Sequence, residues 1–490
     1  MSIETAVFAV QRGGQQFSCK GSELIEKLTD GDILLVNRDG VDCQLELKKM
    51  PWEADDIKYH VIVPAGSSGI KKQGGAGSYN MDGSLVSYTG SNPTFPEGEY
   101  IFSGSADESR WDGKPITFTS SPGDFEIGPL TDTSKATKTK ELFNFCHEFT
   151  GAGIQYIDVS NVENMEKMFN YCSKFNGDVS DWDVSNASSM SYMFSDCSKF
   201  NGDVSDWDVS NASSMNYMFN NCANFKGDVS DWDVSKVEDM YFMFSGCTSF
   251  NSDISGWDVS SVENMRALFR ECSNFNADIS GWDVSNATDL SFMFTGSDLS
   301  NVDVSGWDVS NAEIMSNMFE DLSDFNQDLS GWDVGKVLSF RSMFKGCTAF
   351  ASDLSRWDVS SANTFSDMFE NAKAFNSNLA HWDVSEGDQF ESMFRGADNF
   401  TSDLSWWKTG NAKNMDYMFE SAGAFDTDCS HWCVSYFKSG WREPGPPTRF
   451  STGATNFTST KPSWGKVCPD PKPGSPPPLP TSTSLTEVSS

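Results

Sequence analysis

Positive charge is scarce in this chain. Its 490 residues carry 35 Lys and Arg against 70 Asp and Glu, a formal net charge of −35. So acidic a surface repels phosphate backbones and anionic lipid, so neither nucleic acid nor a membrane surface is an expected partner. It keeps crowded copies soluble and suits cation-rich surroundings that screen self-repulsion. Long apolar runs are missing too. No stretch approaches the roughly 18 residues of a membrane span, so no membrane insertion is expected. The opening MSIETAVFAVQRGGQQ lacks a basic segment followed by an apolar core, and a secretory signal is not expected there. Histidine is confined to His60, His147, His381 and His431, none beside a Cys/His pattern with metal-ligand spacing. No G-x-S-x-G elbow, P-loop or H-E-x-x-H occurs. The run Gly74-Gly75-Ala76-Gly77 has no helix expected after it and reads as a loop.

Aromatic residues, by contrast, are abundant. With 16 Trp and 38 Phe the chain has far too much to bury for a solvated, core-less polymer. Tryptophans fall at a constant spacing of 25, at Trp182, Trp207, Trp232, Trp257, Trp282, Trp307, Trp332, Trp357, Trp382, Trp407 and Trp432. A phenylalanine column keeps the same step from Phe169, Phe194 and Phe219 to Phe394 and Phe419. Each unit reads roughly F-N-x-D-[VIL]-S-x-W-D-V-S-N-x-x-x-[MF]-x-x-M-F-x-x-C. Around Trp207, the apolar Val204, Trp207 and Val209 are set against Asp206, Asp208 and Ser210, the pattern of a strand with one solvated face. Met190, Met193, Phe194 and Cys197 follow the i, i+3, i+4, i+7 spacing of one face of a short helix, which Ser188 or Ser189 is placed to cap. One strand and two helical turns cannot bury their own apolar sides, so successive units must stack. The expected fold class is therefore an α/β solenoid of 25-residue rungs, with a parallel β-sheet on one face and short helical segments on the other.

Cys146, Cys172, Cys197, Cys222, Cys247, Cys272 and Cys347 share one column of this repeat, where other rungs place Ser297, Leu322, Ala372, Ala397 and Ala422. Small, mostly apolar substitutes mark a tight buried slot and reduced, inert thiols. Metal ligation is the sharper alternative, but no His or CxxC accompanies the column.

The array is expected over residues 130–436, including an N-terminal cap in which Leu142, Phe143 and Cys146 are in register. Residues 1–50 read as a small α+β module with a Ser22–Leu28 helix, and 51–129 as a β-rich domain. Residues 437–469 are the expected C-terminal cap. Residues 470–490, DPKPGSPPPLPTSTSLTEVSS, read as a flexible Pro/Ser/Thr-rich tail.

The motif W-D-V-S-N-x-x-x-M-x-x-M-F-x-x-C-x-x-F-N-x-D resembles the BspA-like, leucine-rich-repeat-related family of 25-residue surface-protein repeats, over about 300 residues. The resemblance implies a leucine-rich-repeat-like array in a surface or adhesion protein that binds partners through its β-face. Pro462-Ser463-Trp464-Gly465 and Cys468-Pro469, after Cys433, resemble the closing segment of such arrays. Cys433 replaces the column aspartate where the period stops, and it is expected to pair with Cys468 and hold the cap on the last rung. The opening A-V-F-A-V-Q-R-G-G and D-G-D-I-L-L-V-N-R-D-G are similar to N-terminal modules of marine cyanophage virion proteins, over about 45 residues. That likeness implies attachment to other virion proteins through residues 1–50, and a protein assembled in the host cytoplasm without a signal peptide.

Two outward columns carry the candidate sites. Asp183, Asp208, Asp233, Asp258 and Asp283 begin an acidic column that runs on through Asp383 and ends at Lys408 and Cys433. The expected reading is a solvated face hydrogen-bonded to backbone and Ser. Calcium is the alternative, although it demands about 6–8 oxygens and a shaped loop. No other cofactor is expected. The residue before each Trp changes from Asp (Asp181 to Asp231) to Gly (Gly256 to Gly331) and then to Arg356, His381, Trp406 and His431. An exposed Trp flanked by His and Arg, with Lys408 beside it, suits a sugar or an aromatic protein side chain. The competing reading packs Trp406 under Tyr436–Pro469.

Every rung repeats the same aspartates, whereas a catalytic pair needs one asymmetric environment to split its pKa values. The chain therefore reads as no enzyme, although Gly256 to Gly331 leave room for a cleft. The leading expectation is a phage virion-associated protein for host recognition or display, binding a cell-surface glycan or protein. A cellular surface adhesin and a polysaccharide depolymerase are the alternatives.

Overall fold

The computed structural model describes residues 126–128, 131, 133–300, 302–434, 446–464, 472 and 474–476, together with the strand backbones that precede them. The early strands are β1 (Val7–Arg12), β2 (Gln15–Lys20), β3 (Ile33–Arg38) and β4 (Val41–Glu46), an antiparallel sheet in the order β2-β1-β3-β4. The expected Ser22–Leu28 helix lies outside the described residues. Next come β5 (Asp56–Val63), β6 (Ile70–Gln73), β7 (Gly77–Met81), β8 (Ser84–Tyr88), β9 (Thr94–Phe95), β10 (Gly98–Ser105), β11 (Thr117–Ser120) and β12 (Glu126–Ile127). They form one sheet in the order β12-β5-β10-β7-β8 and another in the order β11-β6-β9.

From residue 133 the chain stacks on itself every 25 residues. Isolated parallel bridges run Lys138↔Asn164↔Ser189↔Ser214 and onward, one residue per rung, to Gln389↔Asn414. The stretch expected to be helical is not a helix. Its backbone N–H groups alternate: Met190, Tyr192, Phe194 and Asp196 donate to Ser214, Asn216, Met218 and Asn220 of the next rung. The intervening Met193, Ser195 and Cys197 donate three residues back within their own rung. Tyr192 at φ 58° and Asp196 at φ 61° reverse the helical hand twice in one segment. Glycine or asparagine takes the second of these positions in several rungs, for example Gly246, Gly346, Gly396, Asn221 and Asn371, which removes or lowers the cost of a left-handed residue.

The stretch expected to be a strand also differs. Val204, Trp207 and Val209 are buried and Asp206 and Asp208 exposed, as alternation requires. Yet the backbone there turns, with Trp207 N–H donating to the Val204 carbonyl at 3.3 Å. Two Asp-x-Ser turns set its corners. Asp203 Oδ1 accepts the backbone N–H and hydroxyl of Ser205, and Asp208 Oδ1 accepts the N–H of Ser210. Side chains trained on the i+2 backbone in this way favour turns over strands.

The core is a set of ring columns. Trp207 and Trp232 are parallel to within 1° with centroids 6.4 Å apart, and Phe194 and Phe219 lie at 5.7 Å. Offset stacking at these distances is the preferred geometry for aromatic pairs. The recurring indole and thiol donors find their partners between rungs, Trp182 of the first tryptophan rung excepted. The indole N–H of Trp207 donates to the Val179 carbonyl of the rung before, and Trp232 to Val204, both at 3.0 Å. Cys197 Sγ donates to the Phe169 carbonyl at 3.0 Å, and Cys222 to Phe194. Ser297 makes the same contact to Phe269, so the thiol column is a row of donors as well as a small-residue slot. Burial pushes these thiols well above their ordinary pKa.

The segment 446–464 continues the stack. Tyr417, Phe419 and Ser421 donate to the carbonyls of Thr448, Phe450 and Thr452. Phe450, Phe457 and Trp464 repeat the order of Phe419, Phe425 and Trp432 over a longer connection. Thr458 N–H donates to Asp426, 32 residues earlier, where Thr401 makes the equivalent contact to Asn376 at a separation of 25. Phe450 meets Phe419 edge-on, at 85°, which ends the parallel stack. The buried Glu420 ties the segment down, paired with Arg395 at 2.9 Å and with Arg449.

Candidate functional site

The corner that presents Trp406 is built from Asp403-Leu404-Ser405. Asp403 Oδ1 accepts the N–H of Ser405 at 2.9 Å and its hydroxyl at 2.5 Å, and Trp407 N–H closes on the Leu404 carbonyl at 3.0 Å. This turn sends Trp407 inward, where its indole donates to Leu379 at 2.9 Å, and leaves Trp406 half-buried at the surface. Burial raises the Asp403 carboxyl, but the Ser405 hydrogen bonds and the Lys472 charge bring it below the usual carboxylate value.

A cavity of about 710 Å³ opens beside this corner, and His381, Trp406, Lys408 and His431 line it. These are four of the five residues expected to bind ligand. Arg356 is exposed and does not line the cavity. Lys408, also exposed, lies 3.7 Å from Asp383 of the preceding rung. The outward column sits on turn corners, which corrects its expected place on a β-face.

Trp406 is covered from a direction the sequence did not suggest. Lys472, from the Pro-rich tail, places its ammonium 4.3 Å from the Trp406 ring centroid and 3.5 Å from Asp403 Oδ2, and donates to Ser405 Oγ. Gly474, at φ +99°, passes so near that a Cβ there would sit 3.5 Å from the ring. Ser475 and Pro476 complete the cavity wall. The indole Nε1 of Trp406 is buried and has no hydrogen-bond partner. Lys472 is the lone cation of residues 470–490, and in so acidic a chain that isolation was the available signal.

The acidic column is engaged locally. Asp183 and Asp233 each accept the hydroxyl and N–H of the serine two residues on, at 2.6 and 3.1 Å. The Ser hydroxyl first, then its N–H, lowers the pKa of Asp183, Asp233 and Asp283. Asp208 accepts the N–H of Ser210, and Asp258 accepts both contacts from Ser260. Among the described residues, no group of three or more His, Cys, Asp or Glu side chains converges to hold a metal ion. A Cβ added at Gly256, Gly281, Gly306 or Gly331 would meet nothing within 4 Å, so that column borders open space. Cys433 is disulfide-bonded, and its expected partner Cys468 lies outside the described residues. Among the described residues, no helix is long and apolar enough to cross a membrane.

The repeat is itself a family signature. A family model described as "Mycoplasma protein of unknown function, DUF285" matches four overlapping stretches, residues 126–229, 203–303, 268–382 and 352–440. No curated protein and no solved structure matches the chain. The matched stretches cover more than half of the sequence, and the chain belongs to this repeat family.

Proposed function

We propose that this member of the repeat family is a non-catalytic binding and display protein, its array a leucine-rich-repeat-like solenoid of BspA-like type. The observation that carries the reading is Trp406: a half-buried aromatic platform with an unsatisfied indole N–H, at a cavity lined by His381, Lys408 and His431. A flat apolar face edged by donors suits a sugar ring or an aromatic side chain, which would take the place of Lys472 over the ring. The repeating aspartates are occupied by their own serines, which supports a scaffold role over hydrolysis. The likeness of the N-terminal segment to virion modules supports a place on a phage particle, with residues 1–50 as the attachment and a host-surface glycan or protein as the ligand.

Quantifying the protein on purified particles, and adsorption of particles carrying Trp406→Ala, tests this reading. The expected result is presence on the particle, adsorption reduced at least tenfold, and an unchanged melting temperature. Absence from particles sinks the virion assignment. New reducing ends after incubation with host polysaccharide would instead establish a depolymerase.

A further inference from the structure

Lys472 shows what the Trp406 corner is built to hold. Its ammonium meets three partners there: the indole face at 4.3 Å, Asp403 Oδ2 at 3.5 Å and the hydroxyl oxygen of Ser405. The turn itself prepares two of them. The Ser405 hydroxyl donates its proton to Asp403 Oδ1, which leaves the Ser405 oxygen as an acceptor and Oδ2 for the cation. A ring face, a carboxylate and a lone pair supply what an alkylammonium group requires: a π-surface, charge compensation and acceptors for its N–H bonds.

No other rung supplies this set. The Asp-x-Ser turn recurs along the array, but residues such as Asp206, Gly281 and Arg356 follow it elsewhere, and a tryptophan only at 406. The rung before has Asn378 and Ala380 in place of the acid and the hydroxyl, and Ala380 lines the cavity. Lys408, also on the cavity wall, lies 3.7 Å from Asp383. An anionic ligand would therefore meet the Asp403 carboxylate at the ring, with Lys408 already beside an acid. A cationic one is drawn by the net charge of −35.

The present occupant is the chain's own tail. Lys472 lies 67 residues beyond Ser405 in sequence, and Gly474 follows at the same ring, where a Cβ would stand 3.5 Å from it. With the tail in place Trp406 Nε1 is buried and unpartnered, so this occupant leaves one donor unsatisfied. We propose that the Trp406 corner is a binding site for a lysine side chain of a partner protein, and that Lys472 is a built-in competitor which the partner displaces. The inference rests on the reading of Trp406 as a binding platform and names the group that platform takes. A tethered lysine acts at an effective concentration on the order of millimolar. An outside lysine thus binds the intact chain with an affinity lowered by the covered fraction.

The test uses the full chain and acetylated, amidated Pro-Lys-Pro-Gly, the sequence at 471–474, by titration calorimetry at low salt. Pro-Leu-Pro-Gly and glucosamine are the comparators. Lys472→Ala is expected to bind Pro-Lys-Pro-Gly at least about tenfold more tightly than the parent chain does. It should also prefer that peptide to Pro-Leu-Pro-Gly by at least about tenfold. Adding Trp406→Leu to Lys472→Ala should abolish the preference. Equal affinity of the parent and Lys472→Ala overturns the competition, and equal affinity for the two peptides overturns the ammonium site. Glucosamine bound as tightly as Pro-Lys-Pro-Gly assigns the ammonium to an amino sugar and overturns the protein partner. Should Lys472→Ala fold poorly, Lys472→Gln keeps most of the side chain's reach without its charge, and the same comparisons decide. A Lys472→Ala chain that binds host oligosaccharide without the lysine preference overturns this inference and leaves the platform reading standing. The lysine preference, with undiminished adsorption of Trp406→Ala particles, does the reverse.

Discussion

The indole N–H of Trp282 donates to the backbone carbonyl of Ile254 at 3.1 Å, reaching from its own rung into the one before. The same bond recurs from Trp207 to Trp432, so the column tryptophans are cross-rung ties as well as core residues. Trp282→Phe keeps most of the ring and loses the donor, leaving a buried carbonyl short of a partner, at a cost of about 1–3 kcal/mol. Trp282→Ala should cost about 3–5 kcal/mol. Chemical denaturation of both variants checks the ranking, and equal losses would show that the N–H contributes nothing.

The thiol column makes a parallel prediction. Cys222 Sγ donates to Phe194, and Ser297 shows that a hydroxyl can take the same role. Cys222→Ser should therefore be better tolerated than its polarity suggests, and Cys222→Val worse than its hydrophobicity suggests. In the native state, the column thiols should resist alkylating reagents, because burial raises their pKa and hides them. Mass spectrometry after native labelling reads this directly, and rapid labelling of Cys222 would contradict it.

Acid should loosen the array. Asp183, Asp233 and Asp283 have pKa values lowered by the hydroxyl and N–H of Ser185, Ser235 and Ser285. A carboxyl lowered on folding contributes stability that is complete above its unfolded value, near 3.9. That stability is lost as pH falls through the folded value. Thermal melts should thus be flat near neutrality and drop below about pH 4. Asp283→Asn should make the drop shallower.

Salt should act the opposite way. Like charges recur at every rung of the Asp183–Asp383 column, and screening relieves their repulsion. Sodium chloride is expected to raise the melting temperature. Calcium and magnesium at matched ionic strength should raise it equally, and a larger shift from calcium would reveal a dedicated site.

The last rung hangs on Glu420, buried between Arg395 and Arg449. Glu420→Gln removes the charge from two ion pairs and should cost roughly 1–3 kcal/mol, between the values for exposed and buried pairs. Hydrogen exchange should rise first across 446–464, because Arg449 belongs to that segment. Uniform exchange along the whole array would place the effect elsewhere.

The burial pattern was legible in the sequence, and the backbone conformation was not. Met190, Met193, Phe194 and Cys197 are all buried, as one face of a helix would be. A stacked turn buries the same positions, because its N–H groups alternate between its own rung and the next. Periodicity of side chains does not distinguish the two; the partners of the N–H groups do. Asp203 and Ser205 likewise alternate as a strand would, while their side chains hydrogen-bond into a turn. At the candidate site, His381, Trp406 and His431 stood out because their column changes chemistry along a constant core, and Lys408 because it breaks the acidic column; the structure sets all four along one cavity. Lys472 was not, since a tail without periodicity gives no indication of where it docks.

Met165, Lys167, Phe169 and Tyr171 all send their N–H groups forward to the following rung, and Tyr417, Phe419 and Ser421 do the same into the closing segment. In this segment each rung therefore offers backbone acceptors on its N-terminal side and backbone donors on its C-terminal side, while the Trp and Cys donors reach back the other way. A whole rung removed or duplicated presents the same two faces to its new neighbours, so the array can change its reach in 25-residue increments while both ends keep their chemistry. Length, in such a molecule, is a quantity selection can tune independently of everything the ends and the outward columns do.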